Sequence, residues 1–474
     1  MKLPFLYSCC LLILACHDTS HAQTNTGIHQ WITRADRSQL FSLQPNIVPF
    51  TTKASVSTII TVNDAETFQS IDGFGFALTG GSAQAIVRMT APARAVLLQE
   101  LFGNAAPSQA GISYLRLSIG ASDLNDHVFS YNDLPAGTTD TAMRHFDLGP
   151  DKADVVPVVK EILRINPAIK ILGSPWSPPV WMKNNNDTRG GRLHPVYYPA
   201  YALYFVKYIQ AMKAEGIIID AITVQNEPLH PGNNPSLLLT APDEADFIKN
   251  YLGPAFTKAG IRTKIILYDH NADRPDYPIL ILDDPAAKKY VDGSGFHLYG
   301  GQVSALTDVH NAHPDRNIYF TEQMIVGFNE NGVDINNMDI ADPVSRVVIG
   351  ATRNWSRNVI AWNLAADPQF KPFTDRGGCN VCQGAITIDK DAVTRNLAFY
   401  AIVHAAKWVV PGSRRIASNE TGSISNVAFK TPAGKIVLIV ANTDTATQTF
   451  AVRYKNKYAT LSLPGRSAAT YVWN

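Results

Sequence analysis

Two glutamates, Glu227 and Glu322, stand 95 residues apart (322 − 227), and each ends an apolar run. Ile217 to Leu229 reads IIIDAITVQNEPL, and Asn317 to Gln323 reads NIYFTEQ. Such runs have the pattern of parallel strands covered on both faces, whose polar residues surface only where the strand emerges. Each glutamate therefore belongs at a strand's carboxyl end. One strand-end glutamate alone is as readily an ion-pair partner or a helix cap. Two of them, the first followed by Pro228, point to chemistry instead. Paired carboxylates break glycosidic bonds: one donates a proton to the leaving oxygen while the other, ionised, attacks the anomeric carbon. On that reading Glu227 is the acid/base and Glu322 the nucleophile. Asn226 is placed to bond the sugar 2-hydroxyl, and Arg116, helped by Tyr299, lowers the pKa of Glu322. Carboxyl groups about 5 Å apart would give double displacement with net retention.

Other strand ends supply the rest of a sugar site: Arg116, Asp123 and Asn125, then Trp176, Asp269 and His270, His297 and Tyr299, and Trp362 and Asn363. Aromatic faces stack on pyranose C–H surfaces while amides and charges read hydroxyls. Trp176, Trp181, Tyr299 and Trp362 could equally be core residues. That alternative competes for Trp181; Trp176, inside Ser-Pro-Trp-Ser-Pro-Pro, sits in a conformationally locked loop that argues against it. The histidines are scattered, with no i, i+4 pair on a helix and no Asp-rich Ca²⁺ loop, so neither metal nor cofactor is expected. No G-x-S-x-G elbow or P-loop is present, and Gly73-Phe74-Gly75 is a lone, weak match to a dinucleotide fingerprint.

The elements that would carry these residues alternate. Strands are expected near Gly73, Ser113–Ile119, Lys170–Ser174, Asp220–Asn226, Lys264–Asp269, Gly293–Leu298, Asn317–Glu322 and Val359–Asn363. Helical periodicity separates them, as at Asp154–Ile165, Tyr201–Glu215, Glu244–Ala259 and Asn396–Val409. Pro92 near the start and Gly103 past the end punctuate another helix. Eight β/α units make a parallel (β/α)8 TIM barrel over residues 71–411, an α/β fold. From 412 to 474 the pattern changes to short alternating strands, Ser423–Lys430, Lys435–Asn442, Thr447–Arg453 and Ala469–Trp473, which predict a fused C-terminal β-sandwich. The segment 23–70 contributes to that β-domain.

A chain of 474 residues has room for both domains, and its net charge of +1 offers no footprint for nucleic acid or an acidic membrane. Met1-Lys2 and the apolar run Leu3–Ala15 have the dimensions of a signal peptide rather than a transmembrane segment. Cleavage after Ala22 is one outcome; a lipobox-like Ile13-Leu14-Ala15-Cys16 makes a lipid anchor at Cys16 the other. Both put the protein outside the cytoplasm, secreted or held as an outer-membrane lipoprotein. Three of the five cysteines lie in this leader, leaving Cys379 and Cys382, which in an exported protein read as a small disulfide loop.

SIGASDLND, LGSPWSPPVWMK, AITVQNEP, GFHLY, YFTEQ, RNWSRNVIAWNLA and GGCNVCQGAITI together resemble glycoside hydrolase family 30, which includes glucosylceramidases and endo-β-1,6-glucanases. The resemblance covers Ile71 to the C-terminus. It implies the barrel with fused sandwich, retaining chemistry, Glu227 as acid/base and Glu322 as nucleophile. It also implies sugar contacts from Arg116, Asp123, Trp176, Asn226, His297, Tyr299 and Trp362. One departure bears on substrate: glucosylceramidases carry Thr-Asp where this chain has Thr79-Gly80, and the lost carboxylate favours a cleft open to a chain. With the stretch HPGNNPS and the TEQ form of the nucleophile motif, this directs the reading to an endo-β-1,6-glucanase acting on β-glucan. An exo-acting glucosylceramidase or β-glucosidase is the alternative, and a non-catalytic carbohydrate-binding protein the alternative of another class.

Overall fold

The computed structural model describes Met1 and residues 27–474, apart from 327, 330, 331, 334–338 and 423. The leader, with Cys16 and Ala22, lies outside the described residues. Among those described, no helix is long and apolar enough to cross a membrane.

Eight parallel strands form the barrel: β1 (Gly73–Ala77), β2 (Tyr114–Ser118), β3 (Lys170–Ser174), β4 (Ala221–Thr223), β5 (Lys264–Ala272), β6 (Val291–Gly301), β7 (Asn317–Phe320) and β8 (Asn358–Ala361). From β1 to β7 each pairs with its sequence neighbour, and β8 pairs with β1. The seam between β7 and β8 is closed by parallel bridges, Ile318 to Ser356 and Met324 to Trp362, the second holding the mouth together. Inside, Tyr114, Leu172, Ala221, Ile266, Tyr319 and Ile360 pack into one apolar layer. Each comes from a different strand, as the alternation of side chains requires.

The intervening helices follow their sequence punctuation. Ala91–Phe102 runs between Thr90 and Gly103, and Val155–Ile165 begins where the Asp154 carboxylate accepts from Val155 N–H. The strand expected from Asp220 to Asn226 is shorter. Its ladder ends at Thr223, after which Asn226 N–H bonds Pro175 O and Glu227 N–H bonds Asp269 O. Leaving the ladder frees Glu227 to turn toward the barrel axis, at φ 46°.

The C-terminal sheet contains the four expected strands as Ile424–Lys430, Ile436–Asn442, Gln448–Tyr454 and Ser467–Trp473. It also contains two that the sequence reading lacked, Arg414–Ser418 and Lys457–Leu463. The second follows a tight hairpin at Lys455-Asn456, both residues at positive φ without the usual glycine, so the turn signal was weak. From the N-terminal segment, Gly27–Thr33 pairs with Ser467–Trp473, and Ile59–Ser70 lies between Arg414–Ser418 and Gln448–Tyr454. This sheet has its own core, including Ile60, Leu438, Phe450 and Tyr471.

The two domains are pinned by a buried histidine on helix Leu397–Ala406. The Thr470 hydroxyl donates to His404 O (2.7 Å), so it accepts from His404 Nδ1–H (2.9 Å); Nε2 then accepts from the Thr33 hydroxyl (2.9 Å). Burial pushes the imidazole pKa down to about 3, so it is neutral. Because the unfolded chain takes up the proton near pH 6.5, the His404 contribution to stability is full above that pH and is lost as pH falls toward about 3. Urea midpoints at pH 7 and pH 4 are expected to differ less for His404→Gln than for the parent; equal differences would show that the histidine is not titrating on unfolding.

Candidate active site

The site begins two residues above the apolar layer. On β2, β3 and β4, Tyr114, Leu172 and Ala221 are followed at i + 2 by Arg116, Ser174 and Thr223, and Thr321 stands two residues beyond Tyr319, just past β7. The interior thus turns polar at one level. β5 departs from the alternation. Gly295 faces Tyr268 and Phe296 faces His270, so Asp269 is the extra residue of a bulge, with Tyr268 and Asp269 both at positive φ. A bulge re-aims one side chain. Here it turns Asp269 into the axis.

Asp269 and Arg116 form the buried centre. Asp269 Oδ2 accepts from Arg116 Nη2 (2.8 Å), Thr223 Oγ1 (2.7 Å) and Ser174 Oγ (3.2 Å), while Oδ1 accepts from Thr321 Oγ1 (2.6 Å) and pairs with His297 Nε2 (3.1 Å). Despite burial, the Arg116 charge and the His297 contact hold its pKa far below the carboxylate range. Arg116 Nη1 donates to Glu322 Oε2 (2.6 Å), Nη2 to Asn226 Oδ1 (2.8 Å) and Nε to Ser174 Oγ (3.1 Å). Its guanidinium lies 4.8 Å from the Trp176 ring centroid.

Above this layer is a cleft of about 260 Å³ whose walls include Asp123, Trp176, Asn226, Glu227, Tyr299, Glu322 and Trp362. Arg116 and His297 lie behind it, bonded to its carboxylates. Glu322 Oε1 accepts from Tyr299 Oη (2.9 Å), while the Tyr299 ring, 42% exposed, stands at the mouth. Glu227 Oε1 is 3.3 Å from His297 Nδ1, and Oε2 accepts from Asn233 Nδ2 (3.2 Å). One ligand atom from each of Glu227, His297 and Glu322 lies within 4.8 Å of the others. That spacing suits a divalent ion, but both His297 nitrogens face carboxylates. Its pKa is pushed up to about 9 although burial opposes this, because Glu322, Asp269 and Glu227 favour the cation. The imidazolium itself occupies the position of positive charge.

Trp176 and Trp362 form a tilted pair, ring centroids 5.5 Å apart, packed with Leu124 and Cys382. Cys379 and Cys382 are bonded, with Cα atoms 5.6 Å apart, and line the same cleft. Their loop reaches across the mouth. Asn234 Nδ2 donates to Asp375 O and Oδ1 (3.0 Å each), Thr374 Oγ1 donates to Asn234 O, and Gly377 lies against the backbone of Gly232 and Asn234. Trp181, half-buried, is outside the cleft.

Residues 71–409 match the family model described as the glycosyl hydrolase family 30 TIM-barrel domain, and residues 412–471 match the family's beta sandwich domain. The chain belongs to glycosyl hydrolase family 30. Within the family it is similar to the endo-1,6-beta-D-glucanase neg1 of Aspergillus fumigatus, 34% identical over 413 residues that cover 81% of each chain. It also resembles the lysosomal acid glucosylceramidase of Mus musculus, 27% identical over 445 residues, 89% of this chain and 84% of that one. The solved structure of the endo-beta1,6-glucanase BT3312 superposes with a TM-score of 0.86 at 34% identity, covering 94% of this chain and 99% of that one.

Two sequence expectations need correction within this family frame. Arg116 does favour the ionised Glu322, but the net shift is upward: burial raises it, outweighing His297 and Arg116, whose charge is shared with Asp269. Glu227 goes the other way, because although burial raises it, the His297 contact and charge lower it. The second correction concerns Gly80. The missing carboxylate does not open the cleft, since a Cβ at Gly80 would lie 2.0 Å from Asn125 Nδ2. The Asn125 side chain fills that space, its Oδ1 accepting from Ser122 N–H (2.9 Å), and Gly80 is outside the cleft wall. Asp269 and Asn233 were the residues without an expected role. Asp269 was visible as a polar strand end, whereas nothing in HPGNNPS indicated which asparagine would meet Glu227. Gly80→Ala is expected to lower stability by about 1–3 kcal/mol through overpacking, read from urea unfolding; an unchanged midpoint would mean that Asn125 yields freely.

Proposed function

We propose that the protein is a retaining endo-β-1,6-glucanase, with Glu227 as acid/base and Glu322 as nucleophile. The observation that carries the mechanism is that an oxygen of each carboxylate lies within 4.8 Å of the other, which fits the ~5–5.5 Å carboxyl separation of retaining glycosidases better than the ~6.5–9.5 Å that leaves room for an inverting water. Similarity to endo-1,6-beta-D-glucanases supports the linkage. The compact cleft and the glucosylceramidase relatives favour a second reading, an exo-acting β-glucosidase or glucosylceramidase. Export fits the apolar leader and the Cys379–Cys382 bridge.

The chemistry follows from who holds which proton. Glu322 attacks C1 with its two oxygens oriented by Arg116 and Tyr299, and its burial strips the water that would blunt it. In the free cleft His297 is the cation and Glu227 the anion. Transfer of one proton along the 3.3 Å Nδ1 to Oε1 contact makes Glu227 the acid that protonates the leaving oxygen. In the second step Glu227 takes a proton from water, which attacks C1 and releases Glu322. Asn226, Trp176 and Trp362 hold the reacting sugar, while Arg116 fixes Asn226 and Glu322 from behind the cleft. Asp123, raised to about 8 by burial and by the charges of Glu322 and Glu227, is protonated at pH 7 and can donate to a sugar hydroxyl.

Product analysis on pustulan, a linear β-1,6-glucan, is the deciding experiment. Mixed oligosaccharides released early are expected; glucose alone, or turnover confined to glucosylceramide, would move the protein to the exo-acting reading. Glu322→Gln should abolish turnover, and hydrolysis that persists would remove Glu322 from the mechanism. Glu227→Ala should slow poor leaving groups by about 10²–10⁴-fold and be partly rescued by azide on activated aryl glucosides. The alkaline side of the kcat/KM profile reports His297: activity is expected to fall as pH rises through about 9, where the imidazolium loses its proton. His297→Gln should remove that limb, and an unmoved limb would assign it elsewhere.

A further inference from the structure

A second concavity, about 670 Å³, lies beside the cleft and is larger than it. It is built by the loops after β2, β3 and β4. All three also build the cleft, the first through Asp123. Trp176 and Asn233 line the cleft, whereas Ser177, Pro178 and Pro235, one or two residues further along, line the groove. The two concavities therefore share walls. We propose that this groove binds a further stretch of the same neutral glucan chain whose reacting unit occupies the cleft, with Trp181 as the stacking platform. The inference rests on the glucanase reading above.

Four observations support a saccharide. First, the groove's apolar surface comes from Phe129, Val180, Trp181 and Tyr197, interleaved with the hydroxyl-bearing residues Ser130, Thr138 and Thr188. Apolar faces with hydroxyl groups between them suit a pyranose, which has C–H faces and a hydroxyl rim. Second, Asp133 is the one charged group among the described lining residues, and its oxygens already accept from Ser130 N–H (2.8 Å) and Oγ (2.6 Å). An anionic ligand would find no counter-ion here. Third, the Trp181 indole N–H is bonded to Asn132 O (3.0 Å) and Oδ1 (3.1 Å), and Tyr197 packs edge-on at 5.1 Å. The ring is fixed, and what it has left to offer is its face. Fourth, buried Lys183 ties the shared walls together, its ammonium donating to Ser177 Oγ (3.0 Å), Thr188 O (2.9 Å) and Ser236 O (2.7 Å). Ser177 and Thr188 line the groove, and Ser236 follows Pro235. A buried amine that ties three stretches of the shared walls together indicates a surface shaped in advance of its ligand.

Size supports the same occupant. At about 260 Å³ the cleft falls below the ~300–1,000 Å³ of sites that enclose a whole ligand, and the groove at about 670 Å³ lies within it. A polymer cut internally must rest most of its length outside the cleft.

The test uses β-1,6-linked gluco-oligosaccharides of two to six units, titrated calorimetrically into full-length protein carrying Glu322→Gln. Affinity is expected to rise with length past the disaccharide. Adding Trp181→Ala should weaken binding of the longest oligosaccharide by about tenfold, the factor that roughly 1.4 kcal/mol of lost contact gives, while the disaccharide, which reports the cleft, loses less. Should Trp181→Ala fold poorly, Leu134→Asp, on the exposed loop edge of the groove, should flatten the length dependence in the same way. Affinity that stops growing beyond the disaccharide, or grows equally in both variants, overturns the groove while leaving pustulan cleavage by the unmutated protein intact. A protein inert toward pustulan overturns the glucanase reading and this inference with it.

Discussion

Arg116 is a cation with no access to water, and the upper half of the barrel is arranged around neutralising it. Removing a charge from water costs several kcal/mol, recovered only if its donors are met. Asp269, Glu322, Asn226 and Ser174 meet four of its five donors, each from a different strand or strand end. Breaking such a group by removing one partner typically costs about 3–5 kcal/mol, because the other charge stays buried. Asp269 is therefore as much a part of the site as the two glutamates: it takes half of the arginine and, through His297, orients the group that faces Glu227.

This arrangement explains why neither glutamate behaves as a simple neighbour argument suggests. Arg116 lies 2.6 Å from Glu322, yet its charge is divided between two carboxylates while desolvation acts on Glu322 in full. His297 lies between Glu227, Glu322 and Asp269, so a proton on it lowers Glu227 and is itself held by all three. The proton inventory belongs to the cluster. Catalysis on the proposed route passes one proton from that inventory to the leaving oxygen and restores it from water.

The mouth is shaped by loops that brace one another. The disulfide-closed loop after β8 docks on Asn234, next to the Asn233 that bonds Glu227, while Lys183 joins the loops after β3 and β4 from below. Loops positioned on a rigid scaffold are where barrels vary their function. Here the bracing couples the catalytic cleft to the surface beside it.

How much of this could be read from the chain follows from the range of each interaction. The eight β/α units, the change to short strands near residue 412 and the strand-end positions of Glu227, Glu322, Trp176 and Trp362 were legible, because periodicity and punctuation are local properties of sequence. The hairpin at Lys455-Asn456 was not, since its positive φ values lack the glycine that announces them. The bulge that turns Asp269 inward, the Asn125 side chain filling the space beside Gly80 and the asparagine that meets Glu227 were decided by the tertiary structure. Each depends on atoms from segments distant in sequence, and the same is true of every pKa in the cluster. Sequence determined which groups stand at the barrel's mouth; packing determined how they divide their charges, because burial and distance act only once the strands have closed.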